Sequence, residues 1–354
     1  MKMVPIPVSV ITGFLGSGKT TLLARLLRDP ALARTAVIVN EFGAVGLDHL
    51  LVEASDEDIV SLDSGCVCCT VRGDLLRTAG DLLARRAAGT VTAFERIVIE
   101  TTGLADPAPI LQALMTDPAL ADALRLESVI ATVDAAAGGA TLDAHPESVK
   151  QAAIADRIVV TKTDLCDPAE NGLAERLHAL NPSASQFKAV HGALDAGLLF
   201  GGGLYDPAAR GPDVRRWLAA EALPGNAPDA AGHDHPGHGG AASRHDAAIA
   251  SFCLRRSAPL GAVTLSLFLQ VLAEHCGAAL LRLKGLVEVR ECPGRPAVIH
   301  GVQHVFHPPA WLDAWPDEDH TTRIVVIARG LDPEWLQALL DALDDEVMAL
   351  QATG

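Results

Sequence analysis

Residues Val8 to Leu23 read V-S-V-I-T-G-F-L-G-S-G-K-T-T-L-L, and few backbone arrangements accommodate such a run. Gly13, Gly18, Lys19 and Thr20 fill G-x-x-x-x-G-K-[ST]. An apolar, β-branched stretch (Val8 to Ile11) precedes the glycines, and a helical pattern from Thr21 follows them. That strand–loop–helix context is what gives the motif physical meaning. Glycines let successive backbone N–H groups curl around phosphate oxygens, and the N-terminus of the following helix adds a favourable dipole. The motif therefore predicts a nucleoside triphosphate site. Gly13, Gly16, Ser17, Gly18 and Thr21 would form the cradle, with Lys19 on the β- and γ-phosphates and the Thr20 hydroxyl on Mg²⁺.

The strands that follow are apolar throughout: Thr35 to Asn40, Arg96 to Glu100, Ser128 to Val133 and Arg157 to Thr161, with a short extended segment at 58–63. Helical stretches lie between them, Asp74 to Ala88 being the clearest. This alternation predicts an α/β fold, a mostly parallel sheet covered by helices on both faces, with the ligand at the carboxyl ends of the strands. Composition shifts after Pro224. Residues 225–246 are rich in Gly, Ala, Asp and His without apolar periodicity, which reads as a flexible linker. From Ala247 a strand–helix–strand–strand–strand–helix pattern predicts a small α+β domain. The expected organisation is a nucleotide domain over 1–224, the linker, and a C-terminal domain over 247–354.

With 354 residues and 49% hydrophobic content, the chain can bury a sizeable core. Its net charge of −16 repels nucleic-acid phosphates and anionic lipid, so neither is an expected partner. No apolar run is long enough to span a bilayer and no secretory signal fits the N-terminus. Seven cysteines, an odd number with three crowded together, argue against a disulfide framework. A cytoplasmic protein with reduced thiols is expected.

Glu100 ends a strand later than the phosphate loop and is followed by Thr-Thr-Gly103. A carboxylate there holds Mg²⁺, usually through water, and the glycine N–H senses the γ-phosphate. Thr161-Lys-Thr-Asp164 ends the last long strand. A carboxylate at Asp164 accepts from the guanine ring N–H and exocyclic amine, favouring guanine over adenine, with Lys162 beside it. Cys66-Val-Cys68-Cys69 offers three soft thiolates within four residues, suited to Zn²⁺ at roughly 2.3 Å per bond. No second cysteine or histidine pair lies nearby, so the site reads as open, its fourth ligand coming from Glu41, a histidine, water or another protein. Glu41 lies in Asn40-Glu-Phe-Gly43, where its targets are the thiolate-bound metal, Mg²⁺ or the attacking water. Lys19, Glu41 and Glu100 are the candidates for the hydrolytic step. The linker histidines His233, His235 and His238 form a short tract able to hold accessory metal. His300, His304 and His307 read instead as a partly buried face or interface.

Together these residues resemble the CobW-type metallochaperone GTPases, in the same broad class as the nickel- and urease-maturation GTPases. The resemblance covers the phosphate loop, Asn40-Glu-Phe-Gly43, Cys66-Val-Cys-Cys69, Glu100-Thr-Thr-Gly103, Thr161-Lys-Thr-Asp164 and the histidine linker. It continues into the second unit through Arg282-Leu-Lys-Gly285, Gln303-His-Val305 and Trp311. It implies GTP hydrolysis coupled to delivery of a metal to a client metalloprotein, with Cys66, Cys68 and Cys69 as ligands. Family members serve different metals, cobalt (Co²⁺) and iron among them; thiolate chemistry favours Zn²⁺ here. A non-catalytic zinc store and an ATP-dependent kinase with a structural zinc are the readings from other classes. A homodimer is among the assemblies left open.

Overall fold

The computed structural model describes residues 5–39, 59–61, 71–200 and 249–353. In chain order the first unit runs β1 (Ile6–Gly13), α1 (Lys19–Leu26), β2 (Thr35–Val39), β3 (Ile59–Ser61), α2 (Val71–Ala87), β4 (Arg96–Glu100) and α3 (Ala108–Thr116). It continues with α4 (Pro118–Ala121), β5 (Leu124–Asp134), α5 (Gly138–Ala144), α6 (Pro146–Ile154), β6 (Arg157–Thr161), α7 (Leu173–Leu180) and β7 (Ser185–Ala189). The strands form one sheet in the order β3-β2-β4-β1-β5-β6-β7, every pairing parallel. Both faces of the central strand β1 are covered: Val8 and Val10 point into one apolar cluster and Ile11 into another. That two-sided burial is why its sequence is apolar without alternation. Helix α1 supplies Leu22, Leu23 and Leu26 to the second cluster, each fully buried leucine contributing roughly 1.5–3 kcal/mol.

The second unit comprises β8 (Ile249–Arg256), α8 (Ala262–Val271, its last turn widening to π geometry over Leu272–Cys276), β9 (Leu280–Val287), β10 (Ala297–Val302), β11 (Val305–Phe306), β12 (Ala310–Trp311), β13 (Thr322–Arg329) and α9 (Pro333–Thr353). Its sheet is antiparallel, in the order β11-β10-β9-β13-β8, with β12 added to β10. Phe268, Leu272, Leu336 and Leu340 from α8 and α9 cover one sheet face through Leu254, Leu283, Val287 and Val326.

The opposite face docks on the first unit. Leu281, Val302 and Ile327 belong to the same buried cluster as Leu111 and Leu114 of α3 and Ile154 of α6. A bulge makes this possible. Ile327 pairs with Arg282 and Ala328 with Leu280, so Leu281 is an extra residue in β9. Leu280 joins the helix-side core, while Leu281 and then Arg282 both meet the first unit.

Both expected globular units and the parallel sheet are present. The differences are local. β5 begins four residues before the strand expected from Ser128, and one of the strands expected in the second unit is a hairpin of β10 and β11. Gln303, at its tip, adopts a left-handed φ of 52°, which a non-glycine residue occupies at a cost of roughly 1–3 kcal/mol. No helix among the described residues is long and apolar enough to cross a membrane.

Candidate nucleotide site

Register brings the site together. Ile11 pairs with Glu100, Glu100 with Val39 and Val39 with Ser61, while Gly13 pairs with Thr132 and Asp134 with Thr161. The carboxyl ends of six adjacent strands thus form one rim, and the phosphate loop, Glu100 and Thr161-Lys-Thr-Asp164 all rise from it.

The phosphate loop is tightly built. Gly13 has φ 142°, and a Cβ there would lie 2.3 Å from the Thr132 hydroxyl and 2.5 Å from the Thr132 carbonyl oxygen, so only glycine fits. The hydroxyls of Ser17 and Thr132 share a hydrogen bond at 2.6 Å. Lys19, 8% exposed, donates from Nζ to the carbonyls of Gly13 (2.9 Å) and Phe14 (3.0 Å), folding its ammonium group over the loop. The Thr20 hydroxyl donates to Glu100 Oε1 at 2.7 Å, which joins α1 to the end of β4. Gly103 approaches the loop so closely that a Cβ would sit 2.7 Å from the Leu15 nitrogen. The four residues assigned from sequence to phosphate and magnesium chemistry therefore converge: Lys19, Thr20, Glu100 and Gly103. Gly16 and Gly18 complete the turn with φ of 71° and 90°, and Thr21 follows on α1.

Thr161-Lys-Thr-Asp164 is locked to this loop. The Thr161 hydroxyl donates to the carbonyl of Ser17 at 2.7 Å. Lys162, at φ 56°, sends Nζ to Asp134 Oδ2 at 2.6 Å. Burial would raise the Asp134 carboxyl, but the Lys162 hydrogen bond and the amides of Ala137 and Ala136 outweigh it and hold Asp134 below the usual carboxylate range. Asp164 stays partly open, 3.9 Å from the imidazole of His191.

His191 was not singled out from sequence, nor was β7, which carries the loop it stands on. β7 buries only Ala189, so its apolar signal is weak. A Cβ on Gly192, in the same loop, would meet the Thr21 carbonyl oxygen at 2.7 Å, so this turn closes over α1 beside Asp164. Asp134 was likewise missed, although its place at the end of the longest strand of the first sheet was a usable signal.

Glu41, Cys66, Cys68, Cys69, His233, His235 and His238 lie outside the described residues. Among the described residues no group of three or more His, Cys, Asp or Glu side chains is arranged to hold a metal ion. His300 is buried at the junction of the two units, where burial, then the charges of Arg282 and Lys284, push its imidazole well below its ordinary value. Burial and Arg282 lower His307 to about 4. These are interface histidines in a cationic setting.

Comparison with known proteins places this geometry in context. Residues 7–188 match the family described as CobW/HypB/UreG, nucleotide-binding domain, and residues 249–344 match the cobalamin synthesis protein cobW C-terminal domain. The chain is 33% identical to zinc chaperone YjiA of Escherichia coli over 96% of its own length and 99% of that protein's. It is 32% identical to zinc chaperone CobW of Pseudomonas aeruginosa over 92% and 88%. The crystal structure of Zn(II)-bound YjiA GTPase superposes with a TM-score of 0.66 at 30% identity, covering 96% of this chain and 99% of that one.

Proposed function

The chain belongs to the CobW/HypB/UreG family and carries a CobW C-terminal domain, and from that premise we propose that it is a GTP-hydrolysing metallochaperone. In this reading Cys66, Cys68 and Cys69 hold Zn²⁺ and release it to a client metalloprotein. The observation that carries the reading is the line Glu100–Val39–Ser61 across β4, β2 and β3. Strands lie about 4.8 Å apart, so Ser61 ends roughly 10 Å from Glu100 on the same rim. Cys66 follows only five residues later. The chain therefore leaves the rim that carries Glu100 at Ser61, five residues before the thiolate motif in sequence, and the near relatives of the protein are named zinc chaperones.

The chain's own groups divide the work. Phosphate-loop amides and Lys19 bind the phosphates, and Lys19 balances charge on the β- and γ-groups. Asp164, two residues beyond the Lys162 that pairs with Asp134, reads guanine. The Thr20 hydroxyl and the Glu100 carboxylate, 2.7 Å apart, are hard oxygen donors of the type Mg²⁺ takes, and they would hold it. That ion, when bound, neutralises charge between the β- and γ-phosphates. Gly103 presents its N–H to the γ-phosphate, and Glu41 belongs to the segment that leads on to the cysteines.

Magnitudes constrain delivery. Structural zinc sites in small peptides are worth roughly 10–16 kcal/mol, whereas coupling between two sites is about 1–3 kcal/mol. Loss of the γ-phosphate cannot by itself expel zinc into water, so the client takes the ion by ligand exchange.

The deciding experiment is chelator competition for Zn²⁺ with Mg²⁺ and either a non-hydrolysable GTP analogue or GDP. Tighter zinc in the GTP state, abolished by Cys68→Ser while GTP still binds, is expected. Equal zinc affinity in both nucleotide states would leave a store rather than a chaperone.

A further inference from the structure

Helix α6 stands between the Gly103 loop and the second unit, and Gln151 reaches from it to that loop. Its side chain is buried, with the residue 1% exposed. Its Nε2 donates to the carbonyls of Gly103 (3.2 Å) and Ala105 (3.0 Å). Two acceptors facing one amide fix its orientation, because only the NH₂ end can serve both. One residue earlier, Lys150 pairs with Asp106 at 3.1 Å, and Asp106 accepts from the amide of Ala108 at the start of α3. The loop is thus held by α6 as well as by the phosphate loop, whose Leu15 packs closely on Gly103. The helix that grips it is itself anchored. Asn181 Nδ2 donates to the carbonyls of Ala152, Ala153 and Ala155, and Asp156, just beyond the helix, pairs with Arg282 and Lys284 of β9.

We propose that Gln151 is a positioning residue for GTP hydrolysis: it sets Gly103 against the phosphate loop at the height where the glycine N–H meets the γ-phosphate. The proposal rests on the reading of Gly103 given above. Its physical content is selective. A contact that holds the loop in its triphosphate-bound place contributes to GTP binding, contributes more strongly to the transition state, where charge on the γ-phosphoryl oxygens develops, and contributes nothing to GDP binding.

The test uses the full-length chain with Gln151→Met, Gln151→Glu and Gly103→Ala. Met keeps the volume and removes both donors; Glu keeps the shape and turns a carboxylate on two carbonyls. Affinities for GTPγS and GDP are measured with Mg²⁺, together with kcat, KM for GTP and Tm. For two lost hydrogen bonds, roughly tenfold weaker GTPγS binding and a comparable fall in kcat are expected, with GDP affinity held within about twofold. Gly103→Ala shifts the same ratio, and the Gln151→Met/Gly103→Ala pair adds little to Gly103→Ala alone. If Gln151→Met instead weakens GTPγS and GDP equally, or lowers Tm with kcat unchanged, the residue only supports the fold and the proposal is overturned. Should Gln151→Glu not fold, Gln151→Met decides alone. If Gly103→Ala leaves the GTPγS-to-GDP ratio untouched, the assignment of Gly103 fails and takes the proposal with it. If that variant shifts the ratio and the Gln151 variants do not, only the role of Gln151 falls.

Discussion

The hydroxyl of Thr161 donates to the main-chain carbonyl of Ser17, which ties the Thr161–Asp164 loop directly to the phosphate loop. Thr161 is 3% exposed, and its side chain is also what a Cβ on Gly18 would touch at 3.4 Å. Thr161→Ala would leave a buried carbonyl short of a donor, a loss of about 1–3 kcal/mol. Because the contact precedes any γ-phosphate interaction, GTP and GDP affinity should fall together, while Thr161→Ser retains both. Calorimetric titration of the two nucleotides checks this; a loss confined to GTP would refute it.

Asp164 is expected to discriminate bases by its acceptors. An amide at this position offers one acceptor and one donor, which suits xanthine, whose C2 bears a carbonyl where guanine bears an amine. Asp164→Asn should therefore lose at least about a hundredfold in GTP affinity and gain XTP binding. Unchanged GTP affinity would remove the basis for guanine selectivity.

His307 sets a pH window for stability. Its folded value, lowered to about 4 by burial and by Arg282, lies below the unfolded value of about 6.5. Above the higher value both states are neutral and the stability is fully present. As pH falls toward 4 the unfolded chain takes up a proton that the folded chain refuses, so stability is lost, on the order of 3 kcal/mol. The groups facing it include Arg282 and Asp156, and His300 shifts in the same direction. Urea midpoints measured between pH 7 and 4 should fall, and His307→Gln should flatten that slope.

Asp156 is the anchor of the interdomain ion cluster. Its carboxylate meets Arg282 at 2.5 Å and Lys284 at 2.7 Å and accepts from the amide of Val129 at 2.8 Å. Burial alone would raise this carboxyl; Arg282 and Lys284 outweigh burial and hold it far below the usual range. Asp156→Ala strands two buried cations and should cost about 3–5 kcal/mol. Burial already lowers Lys284 to about 8, so Lys284→Met should cost far less, about 1 kcal/mol or under. Comparable losses in thermal unfolding of the two variants would contradict this division.

The nucleotide site was largely legible because its signals are local: a loop motif, a strand-ending acid and a strand-ending T-K-x-D, each within a few residues. Register then aligned them, and parallel sheets align carboxyl ends by construction. The junction of the two units was not legible. Asp156 and Arg282 are 126 positions apart, and strict alternation along β9 would put Leu280 on the face of Arg282 and Lys284. The bulge at Leu281 overturns that alternation, and no residue type announces it. The role of Thr161 was not legible either, because its hydroxyl acts on the carbonyl of Ser17, 144 positions earlier in the chain. Reading that contact required the loop's path in space.

The docking of the two units separates covalent continuity from cohesion. Leu281, Val302 and Ile327 are sealed in the first unit's core, Asp156 draws both of its cationic partners, Arg282 and Lys284, from the second, and the Gln112 amide bonds the Gln303 side chain across the same seam at 2.8 Å. A segment comprising 249–353 alone would expose Arg282, Lys284 and His300 together with three leucine-sized apolar groups. Among the described residues, cohesion between the two units therefore rests on shared apolar packing and on charges paired across the seam, each half completing the other's interior.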